Sequence, residues 1–263
     1  MHVEGHELEE GRTLKSDVCI VGAGPAGIAT AKRLSGTSLD VCILESGGLD
    51  AEDRLADSYE GKNVGLSYHP LSEARAQGIG GSTNLWGGYC APLAPIVFRE
   101  RPWVPYSGWP IDRDDLNPYY QVAHRILNVG PFQYEPEYWE DAIQEYRRFL
   151  PDSPVMNTRV IQFSESHLRE TKNGHQGWVD PTRFGELCRD DLLKSENVTL
   201  VTHARVTGIE TPPSASTVNG LEVRCAGGSS IRVEAKRYVL AAGGIENPRL
   251  LLSADRYAPD GLG

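Results

Sequence analysis

Cysteine, basic residues and long apolar segments are all scarce in this 263-residue sequence. Its five cysteines are an odd number, and no two of them have the C-x-x-C spacing that zinc sites and thiol redox centres use. The spacing therefore indicates no metal site, and we expect reduced thiols in a cytoplasmic compartment. No apolar run reaches the length of a membrane span, and Met1–Ser16 lacks the hydrophobic region of a secretory signal.

The charge is one-sided, since 26 lysines and arginines stand against 36 aspartates and glutamates and the net charge is −10. Because the phosphates of nucleic acids bind basic surfaces, this balance disfavours a nucleic-acid partner. The acidic residues are spread along the chain, which indicates a role in solubility and not a binding tail. The length and ordinary apolar content allow one large domain or two smaller ones.

A glycine-rich turn near the amino terminus is the most informative motif. Asp17–Val21 predicts a short buried strand, a G-x-G-x-x-G pattern follows it, and Ile28–Leu34 predicts a helix. Asp40–Leu44 predicts a second strand, which Glu45 closes. Together these segments form the βαβ unit that binds dinucleotides, although the glycines alone would also fit an ordinary turn, and Glu45 a solvated strand end.

Each residue of that motif has a physical role in binding a dinucleotide. Gly22 allows the tight turn, Gly24 leaves room for a pyrophosphate against the backbone, and Gly27 lets the helix pack closely on the strand. The open amides and the positive end of the helix then face the phosphates. Glu45 can accept hydrogen bonds from the two hydroxyls of a ribose, and its charge disfavours a 2′-phosphorylated cofactor.

Gly78–Gly88 is a second glycine-rich segment, in which Leu85 and Trp86 lie among small polar residues. Glycine lets a backbone approach a flat ligand closely, and the large apolar residues are unlike those of a solvated linker. We therefore expect this segment to be an ordered loop at a binding site.

The remaining segments predict further helices and strands. Helices are expected from the cap at Asp112, supported by Asp115, to Leu127, over Tyr138–Leu150, over Phe184–Lys194 with a cap near Asp180–Thr182, and over Asn247–Ser253. Strands are expected over Thr158–Phe163, Asn197–Val201, Arg205–Glu210, Leu221–Cys225, Ile231–Ala235 and Tyr238–Ala242. A turn of two glycines predicts a hairpin between Leu221–Cys225 and Ile231–Ala235.

Four segments, taken in order, resemble the glucose-methanol-choline (GMC) family of flavin oxidoreductases. They are the βαβ unit with Glu45, Gly80-Gly-Ser-Thr-Asn-Leu-Trp86, the Gly-Trp-Pro-Ile and Leu-Asn-Pro-Tyr-Tyr motifs within Gly108–Tyr120, and Val239-Leu-Ala-Ala-Gly-Gly-Ile-Glu-Asn-Pro-Arg-Leu-Leu-Leu252. The resemblance implies an α/β fold, with a Rossmann-like FAD-binding domain of parallel sheet and helices, a β-hairpin insertion, and part of a substrate or cap region. It assigns residues 1–90 and 181–263 to the FAD-binding domain and 91–180 to the insertion that contributes to the substrate or cap region.

The resemblance also implies FAD as the cofactor. The residues that it places at FAD are Gly22, Gly24, Pro25, Ala26, Glu45, Gly80, Gly81, Ser82, Thr83, Asn84, Val206, Ala242 and Gly243. In particular, the backbone of Val206 would meet the adenine. Some relatives bind FAD covalently through a histidine near the Gly-Gly-Ser segment, but Leu85 occupies the nearest position here. Because leucine cannot form that bond, the resemblance implies non-covalent FAD.

The activity that the resemblance implies is oxidation of a CH–OH group of an alcohol or sugar, in which a base takes the hydroxyl proton and the hydride passes to flavin N5. No catalytic base is assigned, because the family's catalytic histidine lies in a carboxyl-terminal half that would follow Gly263. The expected partners are a small alcohol or sugar, and either a second chain or that missing half. The alternatives are a non-catalytic FAD-binding fragment or pseudoenzyme that needs a partner chain, and an NAD-dependent dehydrogenase, which the Gly80–Gly88 loop disfavours.

Overall fold

The chain divides into two compact units in the computed structural model. One comprises Met1–Leu85 with Arg183–Gly263, and the other comprises Trp86–Thr182. The structure describes residues 1–50, 60–147, 155–165, 181–214, 216–254 and 261–262. The division into domains that the sequence suggests stays a prediction.

Strands and helices alternate along much of the chain. The strands, numbered in chain order, are β1 His2–Glu4, β2 Thr13–Val21, β3 Val41–Leu44, β4 Tyr89–Cys90, β5 Gln162–Phe163, β6 Val198–Thr202, β7 Ala204–Glu210, β8 Gly220–Cys225 and β9 Ser230–Leu240. The helices are α1 Pro25–Leu34, α2 Arg113–Leu127, α3 Pro136–Ala142, α4 Phe184–Lys194 and α5 Gly243–Leu252. The predicted α/β class is confirmed. Within the described ranges, no helix combines the length and apolar character that crossing a bilayer requires.

A seven-stranded sheet organises the first unit, in the order β1-β6-β3-β2-β9-β8-β7. The first five strands in this order run parallel to their neighbours, whereas β8 and β7 extend the edge beside β9 as antiparallel strands. All residues of β3 are buried, which is typical of a strand covered on both faces. Helix α1 packs on α4 and β3, and α4 also packs on β6. Because parallel strands end at the same edge, β2, β3 and β9 open a crevice where a ligand can bind.

The sheet differs from the sequence-based prediction in two places. Met1–Ser16 contributes β1 and the start of β2, where the sequence indicated no strand. The prediction of separate strands over Ile231–Ala235 and Tyr238–Ala242 is wrong. A single strand, β9, runs without a break from Ser230 to Leu240, because β2 pairs with it along almost its whole length, and Ala241 and Ala242 lie beyond its end.

Three predicted helices have different bounds in the structure. Helices α1 and α5 begin earlier, at Pro25 and Gly243, because the glycine turns lead directly into the first helical residue and proline is tolerated there. The helix predicted over Tyr138–Leu150 ends at Ala142, and the end of that range lies outside the described residues. Within the predicted strand Thr158–Phe163, only the last two residues form β5.

The five cysteines are free thiols, and four of them are buried. Cys19 and Cys42 lie opposite each other on β2 and β3. The hydrogen bond between them and the burial of Cys19 raise the pKa of Cys19 far above its usual range. Burial also raises the pKa of Cys90, Cys188 and Cys225. Because the thiolate is the reactive form, these side chains act as small apolar packing groups.

Helix α2, in the second unit, has the cap that the sequence predicts. Asp112 and Asp115 form a reciprocal capping box, in which the Asp115 Oδ2 accepts a hydrogen bond of 3.0 Å from the Asp112 amide. His124 lies on the same helix with its two ring nitrogens 2.9 Å from the Gly130 carbonyl oxygen and 3.0 Å from the Tyr134 hydroxyl. Both ring nitrogens therefore have protein partners, and His124 is a packing residue.

Candidate functional site

A cavity of about 590 Å³ lies in the first unit where β2, β3 and β9 end. Val21, Leu44 and Leu240, the last residues of these strands, all line it. Of the residues that the sequence analysis placed at a cofactor, those that line the cavity are Gly22, Gly24, Pro25, Ala26, Glu45, Gly81, Ser82, Val206, Ala242 and Gly243. The crevice at the strand ends thus brings together residues that are more than 200 positions apart in the chain.

The glycine turn between β2 and α1 is sterically tight at two of its three glycines. Gly22 has a φ of +101°, and a Cβ there would lie 2.8 Å from the Ala241 carbonyl oxygen. A Cβ on Gly27 would lie 1.9 Å from the Gly22 carbonyl oxygen, so α1 can approach β2 only with glycine at this position. These contacts fix the path of the turn and the direction in which α1 points.

The amino-terminal end of α1 faces the cavity with open backbone amides. Gly24 is the N-cap and Pro25 the first helical residue, and no side chain caps the amides or places a carboxylate in the first turn. A Cβ on Gly24 would have its nearest neighbour 3.9 Å away, so the space beside this residue is empty of protein. Unpaired amides at the positive end of a helix, with room for a ligand against the backbone, fit an anionic diphosphate.

Glu45 is buried at the end of β3 and joins three segments around the cavity. Its Oε2 accepts a hydrogen bond of 2.8 Å from the Ala23 amide, in the glycine turn. Its Oε1 accepts hydrogen bonds from the amides of Gly47 at 2.9 Å and Gly78 at 3.1 Å. Since a carboxylate oxygen can accept more than one hydrogen bond, the Oε2 can accept a further one beside that from Ala23. Contact between Glu45 and a ribose stays a prediction that this arrangement allows.

The second glycine-rich segment folds back over the first. The Gly80 amide donates a hydrogen bond of 2.9 Å to the Ala23 carbonyl oxygen, and Gly80 and Gly81 have φ values of +95° and +50°. A 3₁₀ turn follows over Gly81–Asn84. A Cβ on Gly81 would lie 3.0 Å from the Gly24 Cα, so the two glycine segments touch.

Gly80, Thr83 and Asn84 shape this loop and do not line the cavity. The Thr83 hydroxyl donates to the Gly80 carbonyl oxygen at 2.6 Å and accepts a hydrogen bond of 3.2 Å from the Phe184 amide. The predicted cap of α4 near Asp180–Thr182 is therefore wrong: Arg183 is the N-cap and makes no side-chain capping bond, and Thr83 pairs one of the first amides. Contacts of Thr83 and Asn84 with a cofactor stay a prediction.

Val206 reaches the cavity through a tight turn between β6 and β7. His203 lies between these strands with a φ of +51°, and its amide donates to the Gly47 carbonyl oxygen at 2.9 Å. The next amide, of Ala204, donates to the Glu45 carbonyl oxygen at 2.8 Å. These two bonds hold the start of β7 beside β3, which places Val206 in the cavity wall.

Sequence reasoning missed several residues of the cavity wall. They include Ser46, Tyr68, Ala74, Arg75, Ala76, Arg205, Glu246, Asn247 and Leu250. Asn247 secures the junction of β9 and α5, because it accepts a hydrogen bond of 2.9 Å from the Ala242 amide and donates one of 3.1 Å to the Leu240 carbonyl oxygen. An asparagine three residues after a Gly-Gly turn could have been recognised as such a fixing group, whereas nothing local marks Arg75 or Tyr68.

Comparison with known proteins agrees with this geometry. A family model described as FAD dependent oxidoreductase (DAO) matches residues 17–257. A 6'''-hydroxyparomomycin C oxidase of Streptomyces lividus is 28% identical, in an alignment that covers 94% of this chain and 52% of the oxidase. A 2-methyl-1,2-propanediol dehydrogenase of Mycolicibacterium austroafricanum is 25% identical over the same shares of the two chains. The chain therefore spans about half the length of the curated relatives it matches.

Solved structures of GMC oxidoreductases share the fold. A formate oxidase of Aspergillus oryzae RIB40 superposes with a TM-score of 0.59 at 19% identity, covering 93% of this chain and 48% of the oxidase. A pyridoxine 4-oxidase from Mesorbium loti superposes with a TM-score of 0.56 at 21% identity, covering 90% of this chain and 51% of the oxidase. The predicted resemblance to the GMC family is thus confirmed by the fold. The chain belongs to the family of FAD-dependent oxidoreductases, and FAD is its cofactor.

Proposed function

We propose that this chain is the FAD-binding part of an enzyme that oxidises a CH–OH group of a small alcohol or sugar. The observation that carries the proposal is the cavity at the strand ends, where the open amides of α1 meet the buried carboxylate of Glu45. The names of the two relatives, a hydroxyparomomycin oxidase and a propanediol dehydrogenase, support a hydroxyl-bearing substrate. The five free cysteines support a reducing compartment, and a cytoplasmic location is part of the proposal.

The residues present fit the adenosine diphosphate part of FAD. The amides of Gly24 and Ala26 would bind the diphosphate, whereas Pro25 between them has no N–H, and the free acceptor site on Glu45 would bind a ribose hydroxyl. Gly81 and Ser82 would lie along the cofactor on the opposite wall, and Val206 would present its backbone to the adenine. When bound, FAD supplies the two-electron acceptor for oxidation of the alcohol carbon. The role of this chain is to bind and orient it.

The proton acceptor is proposed to come from outside these residues. In the described part of the chain no histidine lines the cavity. His124 has protein partners at both ring nitrogens, the Nδ1 of His203 lies 2.6 Å from the Glu4 Oε2, and neither histidine lines the cavity. We propose that a carboxyl-terminal half or a second chain brings the base to the flavin. The second candidate is a non-catalytic FAD-binding part. It is favoured by the same observation, that no histidine of the described residues lines the cavity.

Anaerobic titration with alcohols tests the activity. The purified chain is expected to show flavin absorbance in the visible range, and addition of a 1,2-diol or a sugar is expected to bleach it when the completing half is present. Two-electron reduction of FAD removes this absorbance, so bleaching reports the chemistry directly. A yellow complex that no alcohol bleaches would favour the non-catalytic candidate, and a folded chain that binds no FAD would overturn both.

Acid precipitation tests whether FAD is bound non-covalently. Leu85 ends the 3₁₀ turn and is more than half exposed, and its side chain has no nucleophilic atom. We therefore expect the precipitated polypeptide to be colourless and all flavin to remain in the supernatant. Flavin that stays with the denatured polypeptide after washing would contradict the prediction.

A further inference from the structure

Arg75 and Glu246 form an ion pair in the wall of the cavity. Each side chain is only 12% exposed, and the two residues are 171 positions apart in the chain. Charged side chains with so little exposure are stable only when they are paired, because water no longer solvates them. The pair therefore connects two segments that are distant in sequence.

Arg75 belongs to a short turned segment on one side of the cavity. The amides of Glu73 and Ala74 donate to the Pro70 carbonyl oxygen at 2.9 and 3.1 Å, which closes a turn. The Arg75 Nε donates to the Leu71 carbonyl oxygen at 3.0 Å, so the guanidinium is attached to this turn as well as to Glu246. The closing segment, defined as residues 70–76, is thus linked to Glu246 through the arginine.

Glu246 lies on the other side, in the first turn of α5. The start of this helix is fixed to the end of β9 by the two hydrogen bonds of Asn247 described above. The second oxygen of Glu246 accepts a hydrogen bond of 2.7 Å from the Nε of Arg249, which is 46% exposed. The position of Glu246 is therefore fixed by its helix. Its two carboxylate oxygens bind two arginines, of which only Arg75 lines the cavity.

We propose that the Arg75–Glu246 ion pair is a positioning pair that holds the closing segment against α5 and so retains FAD in the cavity. The inference rests on the proposed function only in that the cavity is the site of FAD. Ala74 and Ala76 line the cavity beside Arg75, so release of the arginine would withdraw part of the wall. Because Glu246 compensates the charge of Arg75, the pair acts by position and not by attracting the phosphates of the cofactor.

A double-mutant cycle tests the coupling. The variants are Arg75→Gln, Glu246→Gln and the combination of the two, and the readouts are the dissociation constant of FAD and the melting temperature of the FAD-free chain. Each single variant is expected to weaken FAD binding about tenfold or more, and the double variant is expected to be no weaker than the singles, since all three break one connection. Such non-additivity indicates that the two residues act as one unit.

Arg249→Gln is the matched control, because it removes the other partner of the same carboxylate from an exposed position outside the cavity wall. Its dissociation constant for FAD is expected to stay within about twofold of the original. Should a single variant fail to fold, the double variant, which removes both charges of the buried pair together, still reports the effect.

Three results would overturn the positioning role. In the first, Arg75→Gln weakens binding and Glu246→Gln does not, which would make Arg75 a direct phosphate ligand. In the second, the double variant binds FAD as tightly as the original chain. In the third, the original chain itself binds no FAD, which would overturn the proposed function at the same time, whereas the first two results would leave that function intact.

Discussion

Replacing Gly27 by alanine is expected to lower the free energy of unfolding of the FAD-free chain by about 3 kcal/mol and to abolish FAD binding. A Cβ at this position would lie 1.9 Å from the Gly22 carbonyl oxygen, and the obstructing atom is backbone that cannot rotate away. Relief would require α1 to move off β2, which would also displace the amides that face the cavity. Urea denaturation and a fluorescence titration with FAD measure the two effects.

Gly24→Ala is the matched comparison, since it places the same methyl group three residues earlier in the same motif. The nearest protein atom would be 3.9 Å away, and the extended backbone of Gly24, with a φ of −75°, is open to any residue. We expect the stability of the FAD-free chain to be unchanged or raised by about 0.5 kcal/mol, and FAD binding to weaken about tenfold or more. Equal loss of stability in the two variants would contradict this separation of packing from binding.

The βαβ unit could be predicted because its signals are local. Residues within Asp17–Glu45 specify the strand, the turn, the helix and the buried acid, and the pairing of β2 with β3 follows from the short connection. The crevice between the strand ends follows from the parallel arrangement alone. The part of the site that is proposed to bind a diphosphate could therefore be predicted without knowledge of the rest of the chain.

Other features depend on partners that are distant in sequence. The charged residues Lys236 and Arg237 interrupt the apolar pattern of β9, and this interruption predicts a break in the strand. The strand is nevertheless continuous, because β9 pairs with β2 on both sides of these residues and Lys236 forms an ion pair with Asp17. Strand β1 contains a single aliphatic residue, Val3, and exists because β6 offers it an edge. The cap of α4 by Thr83 has the same origin. Local periodicity contains no information on such contacts.

Glu45 was predicted as a cofactor ligand, and the structure gives it a structural role in addition. Its carboxylate accepts hydrogen bonds from amides on both glycine-rich segments and from the amide of Gly47, shortly after β3. A buried carboxylate with several amide donors makes charge-assisted hydrogen bonds, which are roughly twice as strong as neutral ones. The two glycine-rich segments thus depend on one side chain, which is only 5% exposed.

Glu45→Gln is expected to lower the free energy of unfolding by about 2 kcal/mol and to weaken FAD binding about tenfold or more. Glutamine keeps the shape of the side chain, and its oxygen can still accept from Gly47 and Gly78. Its NH₂ group would then face the Ala23 amide, now 2.8 Å from Oε2, and two donors would be left opposed in a buried site. Ser46→Ala is the control, because it removes a 3.2 Å hydroxyl bond to the same carboxylate and leaves the carboxylate in place, and the expected loss is about 0.5 kcal/mol. If Glu45→Gln has the same free energy of unfolding and the same affinity for FAD as the control, the carboxylate does not hold the glycine turn. The cavity must then be organised by backbone contacts such as that between Gly22 and Gly27.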